Sequence, residues 1–284
     1  MDYMRIFFDI GIILLAIGLL CLLIWRHVDH RADRLEMKRL LQQQPTNPPI
    51  FSMDVVADLP EPARRFFAFA ISEGTPLYTV AEIEMSGKFS LGSKEAPNYT
   101  DISSKQVLAA PEGFVWKMSG GLGLMRLSGS DSGYWTRFWL GGFVPVARLG
   151  GNPDHRKAAF GRYVAEAVFW TPAALLPREG IEWQHVDETT ARVVVRHKGL
   201  EQAVDIHVDE DGRPTQVVFP RWSDANPEKT YRIQPFGGYL SDFREVQGFR
   251  LPMHVEAGNQ FGTDEYFPFY LINVTKLRFP PVSR

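Results

Sequence analysis

The chain has almost no cysteine. Of its 284 residues only Cys21 carries a thiol, so no disulfide can form within it and cysteine usage does not report the redox compartment. It also lacks an excess of charge. Lys and Arg number 31 against 33 Asp and Glu, a formal net charge of -2, with both signs mixed along the sequence. That excludes the basic face of a nucleic-acid binder and any partner recognised by bulk charge. His185, His197, His207 and His254 stand without a second His, Cys or acid at a local ligand spacing, so no metal and no other cofactor is expected. His207 sits between Ile206 and Val208 and reads as the solvent face of a strand. No serine occupies a Gly-x-Ser-x-Gly elbow. Ser119-Gly120-Gly121-Leu122-Gly123 is glycine-rich but lacks the lysine and the helix of a phosphate loop, and reads as a flexible turn.

What the sequence does have is an apolar run over residues 6–25, interrupted only by Asp9. About 20 helical residues span about 30 Å, the hydrocarbon thickness of a bilayer. Tyr3 and Trp25 bracket the run as interfacial aromatics do. A cleaved signal is the competing reading, but the run is longer than a signal core and Arg26, His27 and Val28 follow it in place of a small-residue cleavage site. Leu20, which precedes Cys21, is not the small residue that lipoprotein processing expects. The expected organisation is a transmembrane anchor over 1–26, a helical stalk and proline-rich linker over 27–57, and a β-rich globular domain over 58–284. The stalk helix, about 26–44, has alternating charge and only Val28, Leu35 and Leu41 as sparse apolar contacts, so it reads as a surface element. Pro45, Pro48 and Pro49 end it. Arg5 is the one base before the span, while Arg26, Arg31, Arg34, Lys38 and Arg39 follow it. The positive-inside rule therefore places the domain in the cytoplasm.

In the domain, Asp58-Leu59-Pro60-Glu61-Pro62 signals a helix start with Asp58 as cap, and Gly74 and Pro76 its end. Strand signals dominate from residue 81 onward, with the polar Ser128 to Gly133 stretch read as a turn. One helix interrupts them: Asn152-Pro153-Asp154 starts it and Thr171-Pro172 stops it, giving about 154–170. Its apolar face is Phe160, Tyr163, Val164, Ala167 and Val168; His155, Arg162 and Glu166 share another. Four short segments between 181 and 219 form an antiparallel meander with one wet face. Pro268 suggests an edge or a bulge in the last strand. The fold expected is mainly β (α+β): a large curved antiparallel sheet or half-open barrel wrapped on the 154–170 helix, or a closed barrel with that helix at its mouth.

The segment Arg162-Tyr163-Val164-Ala165-Glu166-Ala167-Val168-Phe169-Trp170-Thr171-Pro172-Ala173-Ala174-Leu175-Leu176-Pro177 resembles an uncharacterised bacterial domain-of-unknown-function family. Leu59-Pro60-Glu61-Pro62-Ala63-Arg64-Arg65, Gly113-Phe114-Val115-Trp116 and Glu182-Trp183 support the resemblance, which covers the chain after the linker; Phe169 is an extra aromatic in the pattern. It implies the bacterial inner membrane as location and transfers no activity. The strand-and-turn pattern also resembles lipoprotein carriers, in which a half-open β-barrel holds an acyl chain. Arg162, Glu166, His155, Trp170 and Trp116 are the candidate ligand contacts, with Arg162 holding an anionic headgroup and Glu166 orienting it; Trp135, Trp139 and Trp183 read as core or pocket wall. The bland alternative is a solvated helix face. Three functions remain open: a membrane-tethered module that binds a lipophilic or amphipathic ligand, a hydrolase-like enzyme with Glu166 as acid or base beside Arg162, and a partner scaffold. The first is favoured, with the membrane and a lipid or amphiphile as partners and no nucleic acid. A C-terminal alkaline phosphatase fusion is expected to be inactive in cells; an active one overturns the cytoplasmic placement.

Overall fold

The computed structural model describes residues 2–281; the outer limits expected above, Met1 and 282–284, lie outside the described residues. Among the described residues three α-helices, α1 (Asp2–Leu41), α2 (Glu61–Ala70) and α3 (Pro153–Trp170), accompany one sheet of thirteen strands. The strands are β1 (Ala81–Phe89), β2 (Thr100–Ala109), β3 (Gly113–Gly120), β4 (Leu127–Ser132), β5 (Trp135–Leu140), β6 (Val144–Gly150), β7 (Ile181–His185), β8 (Thr190–His197), β9 (Leu200–Val208), β10 (Pro214–Ser223), β11 (Arg232–Val246), β12 (Phe249–Asn259) and β13 (Phe267–Arg278). The sheet is antiparallel throughout and runs β6-β5-β4-β3-β2-β1-β13-β12-β11-β10-β9-β8-β7. Two meanders thus meet where β1 pairs with β13, and β6 and β7 are opposite edges, unpaired with each other among the described residues. The sheet is a half-open barrel, not a closed one.

That order dictates where α3 goes. It is the link between the two edge strands, so it must cross the width of the sheet, and it does so through the concave side, against β9, β10 and β12. Its start is as the sequence signals: Asn152 Oδ1 accepts from the His155 amide at 2.8 Å, and Pro153 fills the first turn, where no amide is needed. The helix is buried on several sides, with Phe160, Val164, Ala167 and Val168 in the core. The second helix, α2, closes one end of the concavity. Phe66 and Phe67 pack on Trp183 at ring separations of 5.9 and 5.1 Å. The residue before α2 is Pro60, with no side-chain cap, so Asp58 does not take the capping role expected of it.

On the convex side the second half of α1 lies across β2 to β6, and this departs from the sequence reading. Of the three expected contacts, Leu41 packs partly buried beside Leu40 but Val28 and Leu35 are exposed, while Asp29 and Asp33 are 4% and 2% exposed. Asp29 accepts from Trp139 Nε1 at 2.9 Å, from Arg137 Nη1 at 3.1 Å and from both terminal nitrogens of Arg148. Asp33 accepts from Ser130 Oγ at 2.7 Å and Arg137 Nη2 at 3.0 Å. One helical turn apart, the two acids present one face, and Leu40 continues that face onto Val107, Ala109 and Val115. The small polar run Ser128 to Ser132, expected as a turn, is β4, paired on both sides with β3 and β5, with its outward Ser130 hydroxyl donating to Asp33. Gly129 serves close approach within the sheet, since a Cβ there would collide with the Arg137 carbonyl. Beyond the helix, buried Gln44 joins the ends of the domain. Its Oε1 accepts from the Thr79 and Val80 amides at 2.8 and 3.0 Å, and its Nε2 donates to the Val80 and Pro280 carbonyls at 2.9 and 3.1 Å.

The strand β11 is long, running unbroken through Pro235, Gly237 and Gly238. Of the edge or bulge expected at Pro268, the structure has the bulge: β13 lies between β1 and β12, and between the pairs Ala257–Tyr270 and Asn259–Phe267 the register shifts, with Pro268 and Phe269 facing the single residue Gly258.

Burial alone would raise the Asp29 carboxyl, but the hydrogen bonds from Arg148 and Trp139 and the charge of Arg137 outweigh it and hold it below the ordinary carboxylate range. The folded form therefore binds this proton less well than the unfolded chain. Its contribution to stability is complete above about pH 4 and is lost as pH falls through the lowered value. Replacing Asp29 by Ala leaves Arg148 and Arg137 without their shared carboxylate and is expected to cost about 3–5 kcal/mol. Exposed Val28→Ala should cost under about 0.5 kcal/mol. Urea melts of the full chain in detergent at neutral pH and near pH 3 measure both effects, with the difference between wild type and Asp29→Ala shrinking at the acid end.

Candidate functional site

Between α3 and the concave face of the sheet lies a cavity of about 520 Å³, within the range of small-molecule sites. The face of α3 that meets it is Arg162, Ala165, Glu166, Phe169 and Trp170, at the i, i+3, i+4, i+7, i+8 spacing of one helix side. Most of the wall is apolar. Phe89, Met118, Phe138, Phe236, Leu240 and Phe269 supply it from strands on both sides of the β1–β13 junction. The extra aromatic Phe169 belongs to this wall and meets Trp170 edge-on at 4.7 Å.

Much of the polar part is a single connected chain of groups. Arg162 Nε donates to Glu166 Oε1 at 2.7 Å, and its Nη1 donates to Asp131 Oδ2 at 2.7 Å. Gln106 Nε2 donates to the other Glu166 oxygen at 2.5 Å. Thr136 Oγ1 donates to Asp131 Oδ1 at 2.6 Å and lies 3.0 Å from His155 Nε2. Thr136 has one proton to give, so with Asp131 as its acceptor its oxygen accepts a hydrogen bond from His155 Nε2–H in turn. Burial, opposed by Asp131, pushes the His155 imidazole below its ordinary value and keeps it neutral at pH 7. The Arg162 guanidinium also lies over the rings of Phe114 and Trp116, 4.6 and 5.1 Å from their centroids. Burial disfavours its charge, but Glu166 and Asp131 outweigh this, so its pKa stands above the ordinary value.

Of the five candidate residues, Arg162, Glu166, Trp170 and Trp116 line the cavity. His155 does not reach the wall; it stands behind Thr136. Arg162 is not a free cation, because two carboxylates already bind it. Glu166 is equally committed: both of its oxygens accept, an arrangement that holds an arginine and leaves little for proton abstraction. His207 and His254 bond to Thr190 and Asn273, and His197 Nε2 lies 3.2 Å from Glu112, all away from this wall.

The residues that the sequence reading missed come from the sheet. Asp131 lies in the stretch taken for a turn. Tyr270 lines the cavity from β13, and burial raises its phenol above the ordinary value, so it stays protonated. Arg221 lies on β10, two and four residues after Phe219 and Val217, and all three face the cavity. Its guanidinium carbon sits 4.6 Å from the Phe236 ring centroid, its Nε is buried with no hydrogen-bond partner, and it forms no ion pair among the described residues. Burial and the nearby charge of Arg162 push it down to about 10. The period-two pattern Val217, Phe219, Arg221 is the signal by which it could have been found.

No curated protein matches the chain. Among solved structures, a LolA superfamily protein from Nitrosomonas europaea is similar at 7% identity with a TM-score of 0.40, over 83% of this chain and 96% of that one. A domain described as an outer membrane lipoprotein-sorting protein from Vibrio parahaemolyticus is similar at 13% identity with a TM-score of 0.36, over 80% of this chain and 91% of that one. The family of unknown function DUF6544 matches residues 49–271, most of the chain, and the chain belongs to that family.

Proposed function

We propose that this protein is a membrane-anchored binding module whose β concavity holds an amphipathic molecule with an acidic head, the apolar body along the aromatic wall and the head against Arg221. The observation that carries this reading is the charge arrangement of the cavity. Four charged residues line it, Asp131, Glu166, Arg162 and Arg221. Both carboxylates are bound to Arg162, which leaves the half-buried Arg221 without an ion-pair partner among the described residues, its Nε fully buried and unbonded. A partly desolvated charge without a partner is destabilising unless something compensates it. An entering carboxylate or phosphate would supply that compensation and satisfy Nε, while the predominantly apolar wall would take an aliphatic or polyene chain. In this reading Arg162 and Glu166, with Asp131, are the rigid floor beside the head, and Trp116 and Trp170 are wall. His155 supports the floor through Thr136.

The helix α1 is long and apolar enough to cross a membrane. On the same reading residues 1–26 anchor the chain in the bacterial inner membrane, with the domain over 58–284 on the cytoplasmic side. The helical segment after Arg26 is fixed to that domain by the Asp29 and Asp33 bonds, so the domain is held close to the bilayer rather than on a loose tether.

Two outcomes are expected. Full-length protein in detergent should bind cis-parinaric acid, and oleate should displace it better than oleyl alcohol does. Arg221→Ala should remove that preference, a loss of about tenfold or more, since a charge-assisted hydrogen bond contributes about 1.5–3 kcal/mol; equal displacement by acid and alcohol in wild type would defeat the acidic-head reading. Removing an uncompensated, half-buried charge should also leave the unliganded variant about as stable as wild type. The second variant, Ala165→Phe, projects a ring from α3 into the cavity. It should abolish parinaric acid binding with an unchanged melting temperature, and binding that survives it would place the ligand elsewhere.

A further inference from the structure

The apolar surface of this protein does not stop at the helix. The connection between β3 and β4 carries Leu122, Leu124 and Met125, which are 88%, 74% and 72% exposed. The turn between β5 and β6 carries exposed Phe143 and Val144. These two tips touch: the Gly141 amide donates to the Arg126 carbonyl at 2.8 Å, and the Leu124 carbonyl lies against Gly141.

Their height relative to the apolar span is set by α1. Arg26, the first charged residue after the span, donates from Nη2 to Ser128 Oγ at 3.2 Å, and its guanidinium packs on Gly142, where any Cβ would collide with it. Trp25 meets Trp139 edge-on at 5.5 Å. Farther along the same helix, Asp33 reaches Ser130 and Leu40 reaches Val115 near the opposite ends of these strands. From Arg26 to Leu40 the helix rises about 21 Å. The two apolar tips are therefore at the level where the span ends, and the hairpin between β2 and β3 is about 20 Å beyond it. Arg26 and exposed Arg126 stand at that same level, where anionic lipid headgroups would meet them. Leu127 and Val146, the residues just inside the two tips, line the cavity.

We infer that the β3–β4 and β5–β6 tips dip into the bilayer beside the anchoring helix, so that the cavity opens onto lipid and not onto water. The occupant of this surface is the membrane itself. The inference rests on the anchor of the proposed function, and it adds a route by which an amphiphile enters without crossing solvent.

The test uses the lone cysteine. In a Cys21→Ser background, Leu124→Cys and Phe143→Cys are labelled with an environment-sensitive thiol dye, and Lys198→Cys in the β8–β9 turn is the control. Lys198 binds Glu112 beside the β2–β3 hairpin, at the far end of the domain. Each full chain is reconstituted in vesicles of phosphatidylethanolamine and phosphatidylglycerol containing lipids brominated at shallow acyl positions. The tip labels are expected to shift to the blue and to lose emission to the brominated lipid, with the Lys198→Cys label unchanged. Tip labels that behave like the control overturn the inference. So does a blue shift that depends on protein concentration and is insensitive to bromolipid, because that marks a second copy or another protein as the occupant. Extraction of the chain by alkaline carbonate would instead sink the anchor, so the two failures are told apart. A circular dichroism melt of each labelled chain identifies any variant that has not folded, and Met125→Cys replaces it.

Discussion

The structure depends on a mismatch of widths. A sheet of thirteen antiparallel strands with unpaired edges has far more concave surface than one helix of 18 residues can cover. An open sheet with an apolar face must bury that face or bind something on it. Here α2 and the aromatics around Trp183 fill one end and α3 fills part of the middle. The rest is wall without filling, and its residues are large and apolar because the same strands elsewhere are core. Connectivity enforces this arrangement. Since β6 and β7 are at opposite edges, α3 is committed to the concavity by its role as the connecting segment, and the side it shows to the cavity is fixed by the side it shows to the core.

The same scarcity of helices explains the convex face. The strands β2 to β6 carry Lys117, Arg137 and Arg148 outward, and without cover these would be ordinary solvated bases. The second half of α1 brings Asp29 and Asp33 to them. Buried ion pairs contribute less to net stability than their number suggests, because desolvation offsets most of the attraction. What these pairs supply is registration. Arg137 bridges the two acids, and Arg148 binds Asp29 through both terminal nitrogens, so the helix cannot slide by a turn without leaving charges buried and unpaired. An apolar seam of Leu and Val would hold the helix without fixing its height so strictly.

Much of the fold was legible in the sequence because local signals and tertiary demand agree there. Asn152-Pro153 and Thr171-Pro172 bound α3, and the alternation of Val204, Ile206 and Val208 marks a half-buried strand; the structure keeps both. Arg162 and Glu166 were legible as a pair because four residues on a helix bring them together whatever else surrounds it. The misreadings come from places where tertiary demand overrides propensity. Ser128 to Ser132 has the composition of a turn and becomes a strand between β3 and β5. Asp29 and Asp33 read as solvated charges because their partners lie far along the chain, on β3 to β6. Arg221 gave no local signal beyond its position in a period-two row, and nothing in one sequence says that the row faces a hollow rather than a packed core.

That last point separates the two arginines of the cavity. Arg162 was the natural choice for a ligand contact because it lies on the helix with an acid beside it, but an arginine with its own acids has little left to offer an anion. The more useful cation is the one the fold leaves unanswered. Arg221 is held by β10 against Phe236, depressed in pKa by burial and by Arg162 itself, with its Nε hidden from partners. The two are not independent: by taking both carboxylates, Arg162 keeps Asp131 and Glu166 from turning toward Arg221. The neutral His155 behind Thr136 adds no positive charge to compete for them. The polar cluster thus works as a sink for the cavity's own negative charge, and the consequence of that sink is one unpaired positive charge facing an apolar wall.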